Sequence, residues 1–146
     1  MEVEFKIANR DDIEGIISLC NKCFNENTSL EYAKKIYDEN QNDKNQIYVI
    51  GSLNGEIVSH AKINIIPTIY EDMNTYAILN HVCVKEEFRR EHIGTKLLDY
   101  CFKIAKEYNC KCVELWSKNF RIPAHSLYHS YGFEVMDAKF FTKNVE

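Results

Sequence analysis

Two long runs of strand-forming residues, Ile47–Leu53 and Glu56–Ile66, are separated only by Asn54-Gly55. A connection that short closes as a type I′ turn, in which both central residues need positive φ, and Asn-Gly is the dipeptide that accepts it most readily. The middle of the chain is therefore committed to an antiparallel hairpin, and the rest must be arranged around a sheet. Pro67 cannot donate to a ladder, so it ends the second strand or kinks it.

The flanking segments read in the same terms. Val3, Phe5 and Ile7 alternate with polar residues as a strand does. Asp11 with Glu14 three residues on resembles a helix start, and Ile13, Ile16, Ile17, Cys20 and Phe24 then recur at helical spacing. Asn25 to Asn27 break that pattern, and Thr28 or Ser29 can cap a second helix carrying Leu30, Ala33, Ile36 and Tyr37. Glu39 to Asn45 and Tyr70 to Asn74 are polar loops, and Thr75 to Lys85 is a third long strand. From Gly94 the period becomes helical, with Leu97, Leu98, Cys101, Ile104, Ala105 and Tyr108 on one face and Asn109 placed to close the helix. Val113 to Trp116 is a short strand. Pro123 suits the first turn of a last helix carrying Ala124, Leu127, Tyr128 and Tyr131, with Gly132 as its stop. Phe133 to Val135 and Lys139 to Thr142 read as final strands. The expected order is β-α-α-β-β-β-α-β-α-β-β, an α/β (α+β) fold with a mixed sheet and helices on its faces. No repeat, linker or low-complexity segment divides the chain, so residues 1–146 are expected to form one domain.

Composition narrows the functional classes. A net charge of −4 gives no basic footprint for nucleic acid. No stretch approaches the roughly 18 uninterrupted apolar residues of a membrane span. The start, Met1-Glu2-Val3-Glu4-Phe5-Lys6, has neither the basic beginning nor the apolar run of a signal peptide, so the cytosol is the expected compartment. There the six cysteines, Cys20, Cys23, Cys83, Cys101, Cys110 and Cys112, are expected as free thiols. The C-x-x-C and C-x-C spacings admit a zinc site. But Cys20 falls on a helix pattern and Cys112 on a strand pattern, with no metal-type His spacing, so buried thiols are expected and no metal.

The chemistry concentrates after the third strand. Val82-Cys83-Val84 is followed by Lys85-Glu86-Glu87-Phe88-Arg89-Arg90-Glu91-His92 and then by the helix that opens Ile93-Gly94-Thr95. A helix N-terminus carries unpaired N–H groups and the positive end of the macrodipole, and a glycine there lets a phosphate approach the main chain. Arg89 and Arg90 add positive charge at the same place. Taken alone, the segment is equally a solvent-exposed basic turn before a core helix.

This segment resembles the acyl-CoA signature of the GNAT N-acetyltransferases, R/Q-x-x-G-x-G/A after a strand. Arg89 falls on the Arg/Gln, Gly94 on the second glycine, and His92 stands where the family has its first. A side chain at His92 must point away from a pyrophosphate, or the turn must open slightly. Arg121-Ile122-Pro123-Ala124-His125-Ser126-Leu127-Tyr128-His129-Ser130-Tyr131-Gly132-Phe133 resembles the second hallmark, N-x-x-A-x-x-x-Y-x-x-x-G-F, with Ala124, Tyr128, Gly132 and Phe133 in register. The resemblance implies a GNAT-like fold, acetyl-CoA as co-substrate without a metal, and transfer of the acetyl group to a primary amine in a ternary complex. It also implies that the main chain of Arg90, Glu91, His92, Ile93, Gly94 and Thr95 holds the pyrophosphate and that of Val82, Cys83 and Val84 pairs with the pantetheine arm. Arg121 then either contacts CoA or faces solvent. Tyr128, a phenol with a reference pKa of roughly 10, is implied as proton donor to the departing thiolate.

The residues do not single out a base. Asn80 stands where some relatives carry a carboxylate or His, and cannot itself serve. His81 follows, but strand alternation turns it to the other face; Glu114 on the next strand, and Glu71 or Asp72, are the other choices. Nothing nearby activates Cys83 as an acyl carrier. Tyr32, Tyr37 and Tyr70 can line an acceptor pocket, or cap the edge of the core. The expected partner is a small-molecule amine, with neither nucleic acid nor membrane, and a homodimer is left open. Two alternatives stand beside this: a CoA-binding sensor without turnover, and a protein or peptide N-acetyltransferase. A third is an α/β domain that binds no CoA.

Overall fold

The hairpin turn closes as its dipeptide requires, with Asn54 at φ +51° and Gly55 at +83°. It joins β2 (Gln46–Leu53) to β3 (Glu56–Ile66), which Pro67 follows directly. The computed structural model describes residues 2–146 and divides into two compact units, one ending at Trp116 and one running Ser117–Glu146.

In the first unit, β1 (Glu4–Ile7), β2, β3, β4 (Tyr76–Val84) and β5 (Val113–Glu114) form one sheet in that order. The first four strands are antiparallel to their neighbours, and β5 is parallel to β4. Helices α1 (Ile13–Phe24), α2 (Leu30–Asn40) and α3 (Ile93–Glu107) complete the unit. A 3-10 turn at Arg10–Asp12 precedes α1, and the reciprocal cap lies at Asn9, two residues before the Asp11 start that the sequence suggests. Asn9 Oδ1 accepts from Asp11 N at 2.9 Å while Asp12 Oδ2 accepts from Asn9 N at 2.9 Å. Ser29 caps α2, its Oγ accepting from Tyr32 N at 3.1 Å.

The two faces of the sheet differ. One is apolar apart from the buried Ser59: Val49, Ala61, Ile63 and Ala77 have no exposure and Leu79 has 3%. Against it lies α3 with its buried Leu97, Leu98 and Cys101, and Phe5, opposite Gly51, stacks on Tyr100 of that helix. The other face carries the cross-strand rows Tyr48, Lys62, Asn80 and Ile50, His60, Cys83. Helix α1 packs over the second row through Ile16, Leu19 and Cys20. This mixed sheet with helices on its faces is the expected class.

In the second unit α4 (Ile122–Tyr131) has Pro123 in its first turn and Gly132, at φ +109°, as its stop. Gly132 N and Phe133 N both donate to Tyr128 O, at 3.2 and 2.9 Å. The strands expected at Phe133–Val135 and Lys139–Thr142 are not formed among the described residues. β5 is likewise two residues long rather than the four expected. Alternation marks residues that suit a sheet, but a strand exists only where its N–H and C=O groups meet a neighbour's. No ladder reaches these segments.

Candidate active site

The site begins with one extra residue in β4. His60 pairs with Cys83 and Lys62 with Asn80, so two steps on β3 face three on β4. That is a β-bulge, and it falls where His81 takes φ +50°. The expectation from alternation, that His81 and Asn80 point to opposite faces, is therefore corrected: both line one cavity. The bulge also carries Cys83 onto the α1 side, three residues after Asn80 on the same face.

The bulge is held by a buried histidine. His60, 2% exposed, has its Nδ1 2.8 Å from the carbonyl of His81 and 3.7 Å from Cys20 Sγ. A carbonyl only accepts, so Nδ1 carries the proton and donates, leaving the Nε2 lone pair bare. Nε2 is buried and has no hydrogen-bond partner. The His81 imidazole is paired through Nε2 with Glu26 Oε1 at 3.0 Å and lies edge-on to Phe24 at 4.8 Å. Sequence reasoning missed His60 and Glu26. The only signal for His60 was a polar residue in the run Val58-Ser59-His60-Ala61, and Glu26 lies 55 residues from its partner.

The cavity, about 280 Å³, lies between α1, α2 and the sheet. Ile13, Ile16, Ile17 and Ile36 form much of its wall, with Tyr32, Tyr37 and Tyr48. Of the expected acceptor-side residues, Tyr32, Tyr37, Asn80 and His81 are brought together there. Tyr70 is not among its lining residues and is 65% exposed, and Glu71 and Asp72 are exposed in the 67–75 connection. Glu114 is exposed on β5 opposite Ile78 and does not line the cavity either.

Beside the bulge, β4 opens away from β5. Their ladder covers only Ala77–Val113 and Ile78–Glu114, so from Leu79 to Val84 that edge of β4 has no strand partner among the described residues. Val82, Cys83 and Val84 all lie on it. Cys83 is 8% exposed, and hydrogen bonds to Cys20 and then Cys23, with burial, push its thiol well up, which opposes use as a nucleophile.

At the end of the open edge stands the basic turn. A 3-10 turn at Glu86–Phe88 leads to Arg89, whose Nε donates to Val84 O at 3.2 Å. Arg90 and His92 take φ +70° and +61°, and His92 is the N-cap of α3 but supplies no side-chain cap. The first turn of α3, Ile93-Gly94-Thr95, contains no acidic residue. An uncapped helix start with two arginines before it is an arrangement suited to an anion. In the second unit, Tyr128 is half-buried with its ring 5.7 Å from that of Phe133, and the Arg121 guanidinium lies 5.4 Å over Phe120.

An open strand edge that leads from a lined cavity to an anion-suited helix start is a path for an extended, phosphate-bearing ligand. Several solved structures share this fold. A putative acetyltransferase from Agrobacterium tumefaciens superposes with a TM-score of 0.87 at 20% identity, covering 97% of this chain and 99% of its own. A predicted acetyltransferase with acetyl-CoA from Clostridium acetobutylicum gives 0.78 at 19%, covering 97% and 96%. A glucosamine-6-phosphate N-acetyltransferase from Arabidopsis thaliana gives 0.83 at 14%, covering 100% of both chains. At such identities the likeness is one of fold, but residues 13–133 also match the profile of the acetyltransferase (GNAT) family. The chain belongs to that family, and acetyl transfer is its reaction class.

Proposed function

We propose that the chain transfers the acetyl group of acetyl-CoA to the primary amine of a small molecule, by direct attack in a ternary complex, with both units acting as one domain. The observation that carries this is the unpartnered edge of β4 running into the uncapped start of α3. Val82 to Val84 offer main-chain groups to an extended pantetheine arm, and Arg90 to Thr95 surround the place for a pyrophosphate, with Arg89 and Arg121 supplying positive charge. The co-substrate supplies an acetyl thioester; the chain supplies alignment, polarisation and proton movement. Main-chain N–H groups near Cys83 polarise the thioester carbonyl. His81, held through Nε2 by Glu26, keeps Nδ1 to take the amine's proton. His60 acts as a positioning residue, because its bond to the His81 carbonyl fixes the bulge. Asn80 orients the amine or a water, and Tyr128 returns a proton to the departing sulfur. Six free thiols fit a reducing, cytosolic setting. The A. thaliana N-acetyltransferase of like fold acts on a sugar amine, which supports a small acceptor.

Two substitutions test the reading. Gly94→Trp fills the start of α3 and should abolish the rise in melting temperature caused by CoA; an undiminished rise would displace the pyrophosphate from this turn. Tyr128→Phe should slow turnover at least tenfold, within the roughly 10²–10⁴-fold that positioned acids contribute, with CoA affinity unchanged. Unchanged turnover would remove Tyr128 from the mechanism.

A further inference from the structure

We propose that the acceptor is an α-amino acid with an apolar side chain, its carboxylate held by Lys62. This rests on the acetyl-transfer reading above and adds the substrate class. The cavity lining contains one ammonium group, that of Lys62, and no Asp or Glu. A cavity built for a polyamine or an aminoglycoside needs acidic groups in its wall, whereas here Glu26 is engaged by His81 and Asp43 by Gln46, and neither lines it. Lys62 is half-buried, and its Nζ donates to Gln46 Oε1 at 3.0 Å and lies 5.3 Å from the centre of the Tyr48 ring. No carboxylate among the described residues lies within salt-bridge distance of it. An ammonium has three donors, so two remain for a ligand oxygen.

The remaining wall matches an apolar body. Ile13, Ile16, Ile17 and Ile36 surround the space with tyrosine rings between them. About 280 Å³ lies just below the roughly 300–1,000 Å³ of small-molecule pockets and suits one amino acid rather than a sugar chain or a folded peptide. Lys62 and Asn80 are directly paired across β3 and β4. In the proposed pose the carboxylate meets Lys62, and the adjacent amine faces Asn80 and His81, which line the same cavity and lie on the open edge. There the amine nitrogen bonds to the thioester carbonyl carbon as the carbon–sulfur bond breaks. The nitrogen gives up a proton to His81, the sulfur gains one, and the products are the N-acetyl amino acid and free CoA.

The test uses the full chain with acetyl-CoA and reads the acetylated product by mass spectrometry. The panel is L-leucine, L-phenylalanine and L-methionine, the amide of each, spermidine, kanamycin and glucosamine 6-phosphate. The free acids should exceed their amides in kcat/KM by roughly tenfold or more, as loss of a charge-assisted hydrogen bond predicts, and chiefly through KM. Lys62→Gln should bring the acid-to-amide ratio close to one, and Lys62→Arg should restore part of it. CoA affinity, measured by calorimetry, reports that the variants fold. Equal use of acids and amides by the wild type, which needs no variant, overturns the proposal. Turnover confined to spermidine, kanamycin or glucosamine 6-phosphate overturns the acceptor class and leaves acetyl transfer standing. CoA binding with no turnover on any amine overturns both.

Discussion

His92 occupies a backbone conformation that favours glycine, in a turn where its relatives by motif carry glycine. Left-handed φ costs other residues roughly 1–2 kcal/mol, while glycine costs folding roughly 0.5–1 kcal/mol through its freer unfolded state. His92→Gly should therefore raise stability by about 0.5 kcal/mol, seen as a higher urea midpoint with an unchanged slope. A lower midpoint would mean that the imidazole makes contacts worth more than the strain. The turn was legible through its resemblance to the acyl-CoA signature, in which Arg89 and Gly94 fall in register and His92 departs. The orientation of His81 was not. Alternation assumes an unbroken ladder, and the bulge at 81 is set by how β4 pairs with β3. His60 was hidden for a related reason, since its role depends on the His81 carbonyl that the bulge turns toward it.

At the level of elements, Gly51 is a tightly constrained position in β2. A Cβ there would lie 2.3 Å from Ser59 Oγ, 2.8 Å from Phe5 Cε1 and 2.9 Å from Val3 Cγ1. The side chains of Ser59, Phe5 and Val3 would have to shift, so Gly51→Ala should cost roughly 1–3 kcal/mol, measured by urea denaturation. A loss under half a kcal/mol would show that β1 moves aside freely. The hairpin was readable because its turn chemistry and both flanking patterns are local. The final two strands expected after Gly132 were misjudged because their existence depends on a partner segment that no local pattern specifies. The cavity between α1, α2 and the sheet was partly readable, through Tyr32 and Tyr37. Lys62 was not, since a lysine in a strand is ordinarily a solvated residue, and only the tyrosines and the covering helices make it a binding group.

For the whole molecule, the thiols report the packing. Cys101 is 1% exposed, and burial pushes its thiol up to about 12. Cys20 and Cys83 are buried too, whereas Cys112 is exposed. Alkylation of the native protein at neutral pH, followed by peptide mapping, should label exposed Cys112 and half-buried Cys23 and spare Cys20, Cys83 and Cys101 until denaturant is added. Early labelling of Cys101 would show that α3 detaches from the sheet at little cost. No helix among the described residues is long and apolar enough to cross a membrane.

The extra residue in β4 has a consequence for solubility. A flat, unpartnered strand edge is a template on which another polypeptide can add itself, and long exposed edges of that kind favour aggregation. Here the spacing of main-chain donors and acceptors changes within the edge. A regular peptide strand cannot stay in register across it, while a ligand arm with few amides can. The same irregularity that brings Asn80 and His81 into one cavity thus leaves the edge open without inviting intermolecular β-pairing.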